Sequence, residues 1–524
     1  CWVSESGELQ SPVYEIERTD AHPVPRANTK RFIRQSSRIT RAQKYRKSQF
    51  LMSRKFHKST NDTLTLETGV LHLGFGAFHR AHQAEYFDRH IERTGDTRWG
   101  ITPINLRAAD QAAFAQAAQQ DGYILRRLNN AGEIDDRLIR CHAGFMDWSA
   151  DRDATERAMA QPNVKAVTMT VTEAGYNLDG KGLLDLSDPM IRAEIDGKTG
   201  QTVYAFLTQG LRQRAALLDQ PITLLNCDNI RRNGKMLSRN LLAYLEALGD
   251  TDLVSWVEQN VTFPSSMVDR ITPQPSPTHH AEAQALYGES HKLGPTIHAE
   301  DFIQWVIEDN FATDFPDLRP EDVTYTPDVD PYEETKIRVL NGGHTALAYI
   351  GALGGFERFD EVMAHPEAAN HFQRFEKEEV MRALPASLPF DVATYVQTVS
   401  NRFCNEHIAD SVERIVSDGY AKFPQFIRPT IRGCLEQGYI PHYSLKSIAS
   451  WYHFTRKSLN GTMNVPYREP NIEALKSLVS ADDPSAFTTN NQLWGDLSTL
   501  YPAFSEELNK AIKSYDLSSS SIPA

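Results

Sequence analysis

At 524 residues the chain exceeds what one ordinary hydrophobic core accommodates, and two or more domains are expected. A formal charge of −13 argues against nucleic-acid binding by the folded body, and no apolar stretch approaches the roughly 20 residues a membrane-spanning helix needs. The five cysteines (Cys1, Cys141, Cys227, Cys404 and Cys434) form no CxxC pair and there is no HExxH, so a reducing, cytoplasmic setting and no metal site are expected.

The charge is unevenly spread. Residues 1–61 carry 13 Lys and Arg against 5 Asp and Glu, a balance of +8 that leaves −21 on the rest. Between Ala21 and Asn61 there is no acid, while Arg and Lys recur among Ser and Gln, as in an organellar presequence. Glu5, Glu8, Glu15, Glu17 and Asp20 run against that reading, and residues 1–61 are expected to form a disordered extension dispensable to the fold. The acidic body suits a small neutral substrate.

Val70-Leu71-His72-Leu73 predicts a strand that runs into Gly74-Phe75-Gly76, and the segment from Arg80 to Arg93 carries Ala84, Phe87 and Ile91 along one helical side. A second strand is predicted at Gly100 to Leu106, followed by an alanine-rich helix from Ala108 to Gln119. The β-branched run Val164 to Val171 reads as a buried strand, Gln201 to Leu218 as a helix, and Ile222 to Asn226 as a further strand. Strands alternating with helices predict an α/β, doubly wound, Rossmann-like parallel sheet over residues 62–329. Past Pro327, Asp328, Asp330 and Pro331 the strand signals fade and long helical segments begin, so residues 330–524 are expected to form a mostly helical second domain.

The glycine turn has the form of a dinucleotide-binding motif. Gly74 and Gly76 permit a tight turn and close approach of backbone N–H groups to a pyrophosphate at a helix start, with Phe75, Ala77 and Phe78 completing the candidate cofactor loop. His79 stands where a third glycine is usual, which implies looser helix-to-strand packing. The second strand ends at Leu106-Arg107 without the acid that favours NAD; Asp110 lies further on, and Arg107 is placed to meet a 2′-phosphate. These residues leave NAD and NADP open.

Lys336, Asn341 and His344 lie together in Lys336-Ile337-Arg338-Val339-Leu340-Asn341-Gly342-Gly343-His344. A buried lysine beside an amide and an imidazole can take a proton from an alcohol without a metal. On a regular helix of about 100° per residue, Asn341 falls roughly 140° and His344 roughly 80° around from Lys336. Tyr332 and Lys336 also match the YxxxK of short-chain dehydrogenases. That match rests on two residues, lies beyond the whole nucleotide-binding half and lacks the upstream serine, so Tyr332 is read as incidental.

Gly74 to Gln83, Asn226-Cys227-Asp228-Asn229, Ser266 to Pro273, Phe302 to Asp309 and the segment around Lys336 resemble, in order, the polyol-specific long-chain dehydrogenases, the mannitol dehydrogenase family. The resemblance implies metal-free hydride transfer between a polyol carbinol and NAD, NADP not being excluded, by a monomer with no nucleic-acid or membrane partner. It implies Lys336 as general base, Asn229 and Asn341 as an oxyanion hole, His344 as a substrate-orienting group and Glu333 as a proton relay, with Arg414 and Lys422 in the substrate pocket. Asp418 to Pro424, the Asn460-Gly461-Thr462 region before Pro466-Tyr467, and Asp483-Pro484 through Leu497 look most like the branch that interconverts D-arabinitol and D-xylulose. Oxidation of mannitol to fructose is the alternative, uronate reduction a more distant one, and a nucleotide- or sugar-binding protein without turnover the reading from another class.

Overall fold

The computed structural model describes residues 54–59, 64–273, 277–289 and 292–515. The described residues belong to one compact unit. Among the described residues thirteen strands, with helices between them, precede residue 327: β1 (Arg54–His57), β2 (Thr68–Leu73), β3 (Gly100–Asn105), β4 (Gly122–Leu128), β5 (Ile134–Ile139), β6 (Met146–Asp147), β7 (Ala166–Met169), β8 (Ile222–Asn226), β9 (Val261–Thr262), β10 (Ser266–Asp269), β11 (Leu293–Glu300), β12 (Gln304–Glu308) and β13 (Val323–Thr326). Beyond Thr326 every regular described element is helical.

The expected parallel sheet is present, in the order β6-β3-β2-β7-β8-β9, with every pairing parallel. Counted along that sheet alone the order is 3-2-1-4-5-6, which reverses between β2 and β7 and opens a crevice at their carboxyl ends. Its strands are apolar on both faces because helices such as Val203–Leu217 and Asn233–Ala247 cover it; Leu71, Val167, Leu207, Leu224 and Leu241 share one core. Two smaller sheets, not anticipated from the sequence, flank it: a mixed one in the order β1-β5-β4-β11 and a three-stranded one in the order β10-β12-β13.

Most of residues 1–61, expected as a disordered extension, lies outside the described residues, but Arg54–His57 corrects that expectation. These four residues form β1, pairing in parallel with β5 at the sheet edge. The basic, aromatic sequence has partners there: Phe56 stacks on Tyr287 at 4.2 Å, Arg54 meets Glu282 at 3.3 Å and His57 meets Asp135 at 3.2 Å.

The helical part is built around His442–Leu459, whose Trp451 stacks on Phe423 at 4.4 Å and packs with Tyr349, Phe487 and Trp494 in a second core. Packed on it is the helix that carries Lys336. It runs as α-helix over Asp330–Lys336, widens to a π-helical segment over Ile337–Asn341 and resumes as α-helix over Gly342–Leu353. A turn closed i to i+5 takes up one extra residue, setting everything beyond it back by about 100°. Asn341 then falls roughly 40° from Lys336 and His344 roughly 20° on the other side, rather than the 140° and 80° of a regular helix. The extra residue is what turns the three toward one side.

A second π segment, Phe375–Val380, packs against the first, and Glu376 within it is fully buried with no hydrogen-bond partner for either carboxyl oxygen among the described residues. It lies where a Cβ on Gly343 would come within 3.1 Å of its Oε1, so Gly343 is what lets the carboxyl sit there. Burial pushes this carboxyl well above the usual glutamate value of 4.5. The folded state therefore keeps a proton that the unfolded chain releases, and stability falls as pH rises above that ordinary value, by about 1.4 kcal/mol per pH unit until the folded-state value is reached. Glu376→Met is expected to raise the urea midpoint, with the gap over the unsubstituted chain widening from pH 5 to pH 8. A gap that is flat across that range would show that Glu376 does not ionise on unfolding.

Candidate active site

Lys336 is almost wholly buried, 6% exposed, at the end of its first helical segment. Its Nζ donates to Asn229 Oδ1 at 2.5 Å and to the backbone carbonyl of Val268 at 2.8 Å. Burial holds the amine below its usual value; Asp269 works the other way, and Arg402 works with burial. An uncharged amine has two N–H groups and one lone pair. With both hydrogens taken by these two acceptors, the lone pair points to the remaining tetrahedral position. The same contact fixes Asn229: its amide oxygen faces Lys336, so its NH2 faces away from the amine and is free to donate.

Asn229 lies in the loop after β8, and that loop is held from several sides. Asp228 accepts from the Val171 and Thr172 N–H groups at 3.1 and 2.9 Å and from the Tyr176 hydroxyl at 2.7 Å. Asn233 donates to the Asp228 and Ser266 carbonyls and accepts from the Ser266 N–H, tying the loop to β10, where Val268 sits. From the helical part, Glu333 accepts the Arg232 N–H with both oxygens at 3.0 Å, Arg232 pairs with Asp330 at 2.7 Å and Arg231 pairs with Glu334. Burial pushes the Glu333 carboxyl up to about 7.

Asn229, Glu333, Lys336 and Asn341 thus line one cleft of about 1280 Å³, together with Glu173, Asp228 and Met267. The other expected substrate residues sit further along. His344 stacks on Phe403 at 4.0 Å, and its imidazole is held well below its usual value by burial, then by Arg414, Arg402 and Lys422. The structure gathers Arg414 and Lys422 beside His344 and not on the cleft wall around Lys336. Arg414 is engaged by both oxygens of Asp410, through Nε at 2.7 Å and through Nη2. Lys422 donates to the Ile415 carbonyl at 2.9 Å, and burial lowers it to about 8. Tyr332 packs its ring against Phe390 and the Met267, Val306 and Val329 cluster.

The glycine turn occupies the carboxyl end of β2, at the point where the strand order reverses. Gly74 has φ +105°, and a Cβ there would come within 3.0 Å of the Thr170 carbonyl, so glycine is required by conformation and by space. A Cβ on Gly76, at the start of the Ala77–Ala81 helix, would meet nothing within 4 Å, which leaves the turn open on that side. The Phe75 side chain turns away into a cluster with Phe114, Tyr123, His142 and Phe145, and Phe78 stacks on His82 at 4.9 Å. The looser packing expected from His79 is corrected: its ring stacks on His72 at 3.6 Å and approaches His142 at 3.2 Å, filling the space beside the sheet. At the end of β3, Asn105 brackets Arg107, donating to its carbonyl and accepting its N–H, while the exposed Arg107 side chain reaches Asp110 at 3.4 Å.

Open glycine backbone at the switch point of a parallel sheet suits a dinucleotide, and a neutral Asn105 with a projecting Arg107 does not reject a 2′-phosphate. Among the described residues no group of three or more His, Cys, Asp or Glu is arranged to hold a metal ion.

Two features have no counterpart in the sequence reading: the Val268 carbonyl and the clamp beside it. Arg402, on the helix Val392–Phe403, binds Asp269 through Nη1 and Nη2 at 2.8 Å and Glu300 through Nε and Nη2 at 2.9 and 2.7 Å, all of it buried. The Ser266 to Pro273 segment belongs to the family resemblance, whereas nothing in the sequence singles out Arg402.

The family models for the mannitol dehydrogenase Rossmann domain and the mannitol dehydrogenase C-terminal domain match residues 68–319 and 328–516. D-arabinitol 4-dehydrogenase of Klebsiella pneumoniae is 35% identical over 432 residues, 82% of this chain and 94% of that one. Mannitol 2-dehydrogenase of Cereibacter sphaeroides is 34% identical over 451 residues, covering 85% and 94%. Among solved structures, the Pseudomonas fluorescens mannitol 2-dehydrogenase ternary complex with NAD and D-mannitol superposes with TM-score 0.76 at 30% identity, covering 88% of this chain and 94% of that one.

Replacing Arg402 leaves Asp269 and Glu300 buried without their shared counter-ion. Arg402→Met is expected to cost about 3–5 kcal/mol of stability in urea titration at neutral pH. A loss below about 1 kcal/mol would mean that the two carboxylates find other partners and that the clamp holds nothing.

Proposed function

The chain belongs to the mannitol dehydrogenase family and is an oxidoreductase of polyol CH–OH groups, and from that premise we propose that it interconverts D-arabinitol and D-xylulose with NAD. The observation that carries the chemistry is Lys336 held between Asn229 Oδ1 and the Val268 carbonyl, an arrangement that aims an amine lone pair rather than merely burying a charge.

In this reading Lys336 takes the proton from the substrate hydroxyl. The free NH2 of Asn229 and the amide of Asn341, both on the cleft wall, donate to the oxygen as negative charge develops on it. Such donors contribute about 3 kcal/mol each where water is kept out. Glu333, one helical turn before Lys336, passes the proton toward the solvent side at Arg232. His344, uncharged and stacked on Phe403, orients the polyol chain through its ring nitrogens. The backbone of Gly74, Phe75, Gly76 and Ala77 would hold the pyrophosphate and Arg107 the adenosine end. When bound there the nicotinamide supplies the hydride acceptor, and the carbinol carbon becomes a ketone.

The choice of polyol follows the D-arabinitol 4-dehydrogenase relative, and the charge around His344 bears on the uronate alternative alone. Arg414 is already paired with Asp410 and Arg402 with Asp269 and Glu300, so no guanidinium there is left for a uronate carboxylate. Neutral polyols meet no such competition. Mannitol is the second reading, favoured by the likeness to the complex that holds D-mannitol.

Steady-state rates with D-arabinitol, mannitol and fructuronate, each with NAD and NADP, test the assignment directly. D-arabinitol with NAD is expected to give the highest kcat/KM and fructuronate the lowest; mannitol exceeding D-arabinitol would move the assignment to the second reading. Lys336→Ala is expected to lower the oxidation rate by 10³-fold or more while NADH binding persists, on the order of what a positioned base contributes. Because burial lowers the amine, the rate should rise with pH and level off below the ordinary lysine value of 10.5. A Lys336→Ala enzyme that keeps most of its rate, or a Tyr332→Phe enzyme that loses as much, would overturn the assigned base.

A further inference from the structure

A second cavity, of about 430 Å³, opens between the start of the parallel sheet and the mixed sheet, behind the glycine turn. Phe75, Tyr123, His142 and Phe145 line one part of it with Ala143 beside them, Gln120 and Asp121 line another, and two cations, Arg80 and Arg140, reach its wall. The Arg80 guanidinium lies 5.1 Å from the centre of the Phe75 ring and 5.7 Å from that of Tyr123. Its only hydrogen bond among the described residues is a long one, Nε to the Gly76 carbonyl at 3.5 Å, so four of its five N–H groups have no protein acceptor. Burial works against the Arg80 charge and no carboxylate is close enough to offset it.

Other arginines of the described residues are better provided for, and the fully buried Arg214 donates to four backbone carbonyls. Arg126, Arg137, Arg270 and Arg402 each hold one or two carboxylates. Arg140, also on the cavity wall, has a partner of its own. His142 is held neutral by burial, at about 3, and adds no charge. What remains is one half-buried guanidinium, open to solvent on one side and without a protein carboxylate, facing the ring-lined part of the cavity.

We propose that this cavity is a second ligand site, which takes a small organic monocarboxylate with a planar apolar body and transmits its occupancy to the glycine turn. A single guanidinium matches one carboxylate in bidentate fashion, and ring faces match an apolar body better than they match a hydrated phosphate dianion. Transmission has a short path. Phe75 stands on the cavity wall while its backbone lies between Gly74 and Gly76, and Arg80 touches the Gly76 carbonyl. A carboxylate that draws Arg80 into the cavity loosens that contact and, through Phe75, shifts the turn. This second part rests on the reading of the turn as the cofactor site.

The test is calorimetric titration of the full chain with benzoate. Saturable binding of one benzoate per chain is expected, weakened tenfold or more by Arg80→Gln and by Ala143→Leu, which fills the cavity without removing the charge, and unchanged by Lys336→Ala. Binding that ignores Arg80→Gln, or that is lost in Lys336→Ala, would place benzoate in the catalytic cleft and overturn the site; inorganic phosphate binding in place of benzoate would overturn the ligand class. NADH affinity, followed by fluorescence, should change severalfold at saturating benzoate, and benzoate affinity by the same factor at saturating NADH. Unchanged NADH affinity overturns the transmission. Chains that bind no NADH at all would instead remove the cofactor reading, with the benzoate result untouched.

Discussion

The site depends on one buried ion cluster. Arg402 reaches across from the helical part and holds Asp269 and Glu300, at the ends of β10 and β11, with contacts of 2.7 to 2.9 Å. Taking these charges out of water is costly, and only the filled geometry offsets it: a planar fork against two carboxylates, with the Tyr395 hydroxyl on Asp269 and the Ile271 N–H on Glu300 using further lone pairs. Asp269 follows Val268 directly, so holding one places the carbonyl of the other. Phe403 follows Arg402 and stacks on His344. Two adjacent residues of one helix thus set the carbonyl that orients Lys336 at one end of the site and the imidazole at the other.

The same cluster bears on how Lys336 titrates. Asp269 favours the protonated amine, but burial outweighs it, and Arg402, a smaller influence than Asp269, works with burial, so the amine is lowered. The cluster therefore supplies electrostatics as well as position. An apolar replacement of similar volume would keep the packing and lose the placement of the Val268 carbonyl.

Strand positions, the glycine turn and the polar trio around Lys336 were legible because each is a local pattern: a β-branched run, a pair of glycines after a strand, chemical residue types at short spacing. The π-helical turn was not. Nothing in Ile337 to Asn341 announces it, because its cause is tertiary. Gly342 and Gly343 let the following helix press against Phe426, Phe372, Phe403 and Glu376, and the chain takes up the extra residue just before that contact. Arg402 was illegible for a related reason, since an arginine in an amphipathic helix looks the same whether it faces water or two buried acids. His79 misled in the opposite sense: read as a defect in the glycine motif, it is compensated by His72, whose ring stacks beneath it and is held by Thr168 and Thr170. Arg54–His57 lay hidden in a basic segment whose composition is that of an extension, while its pairing edge, β5, lies some eighty residues on.

Burial acts on both members of the proposed proton path, and with opposite sign. In water a lysine at 10.5 and a glutamate at 4.5 are far apart, and moving a proton from the first to the second would be steeply uphill. Desolvation favours whichever form is uncharged, so it lowers the Lys336 amine and lifts the Glu333 carboxyl to about 7. Each unit by which the gap closes removes about 1.4 kcal/mol from the transfer. The Arg232 N–H, bound by both Glu333 oxygens, keeps the carboxyl from rising further, so it still releases the proton at neutral pH. A wetter cleft would restore the gap from both sides, which is why the cross-links of the Arg231 and Arg232 side chains to Glu334 and Asp330, which hold the loop against the helix, matter to the chemistry.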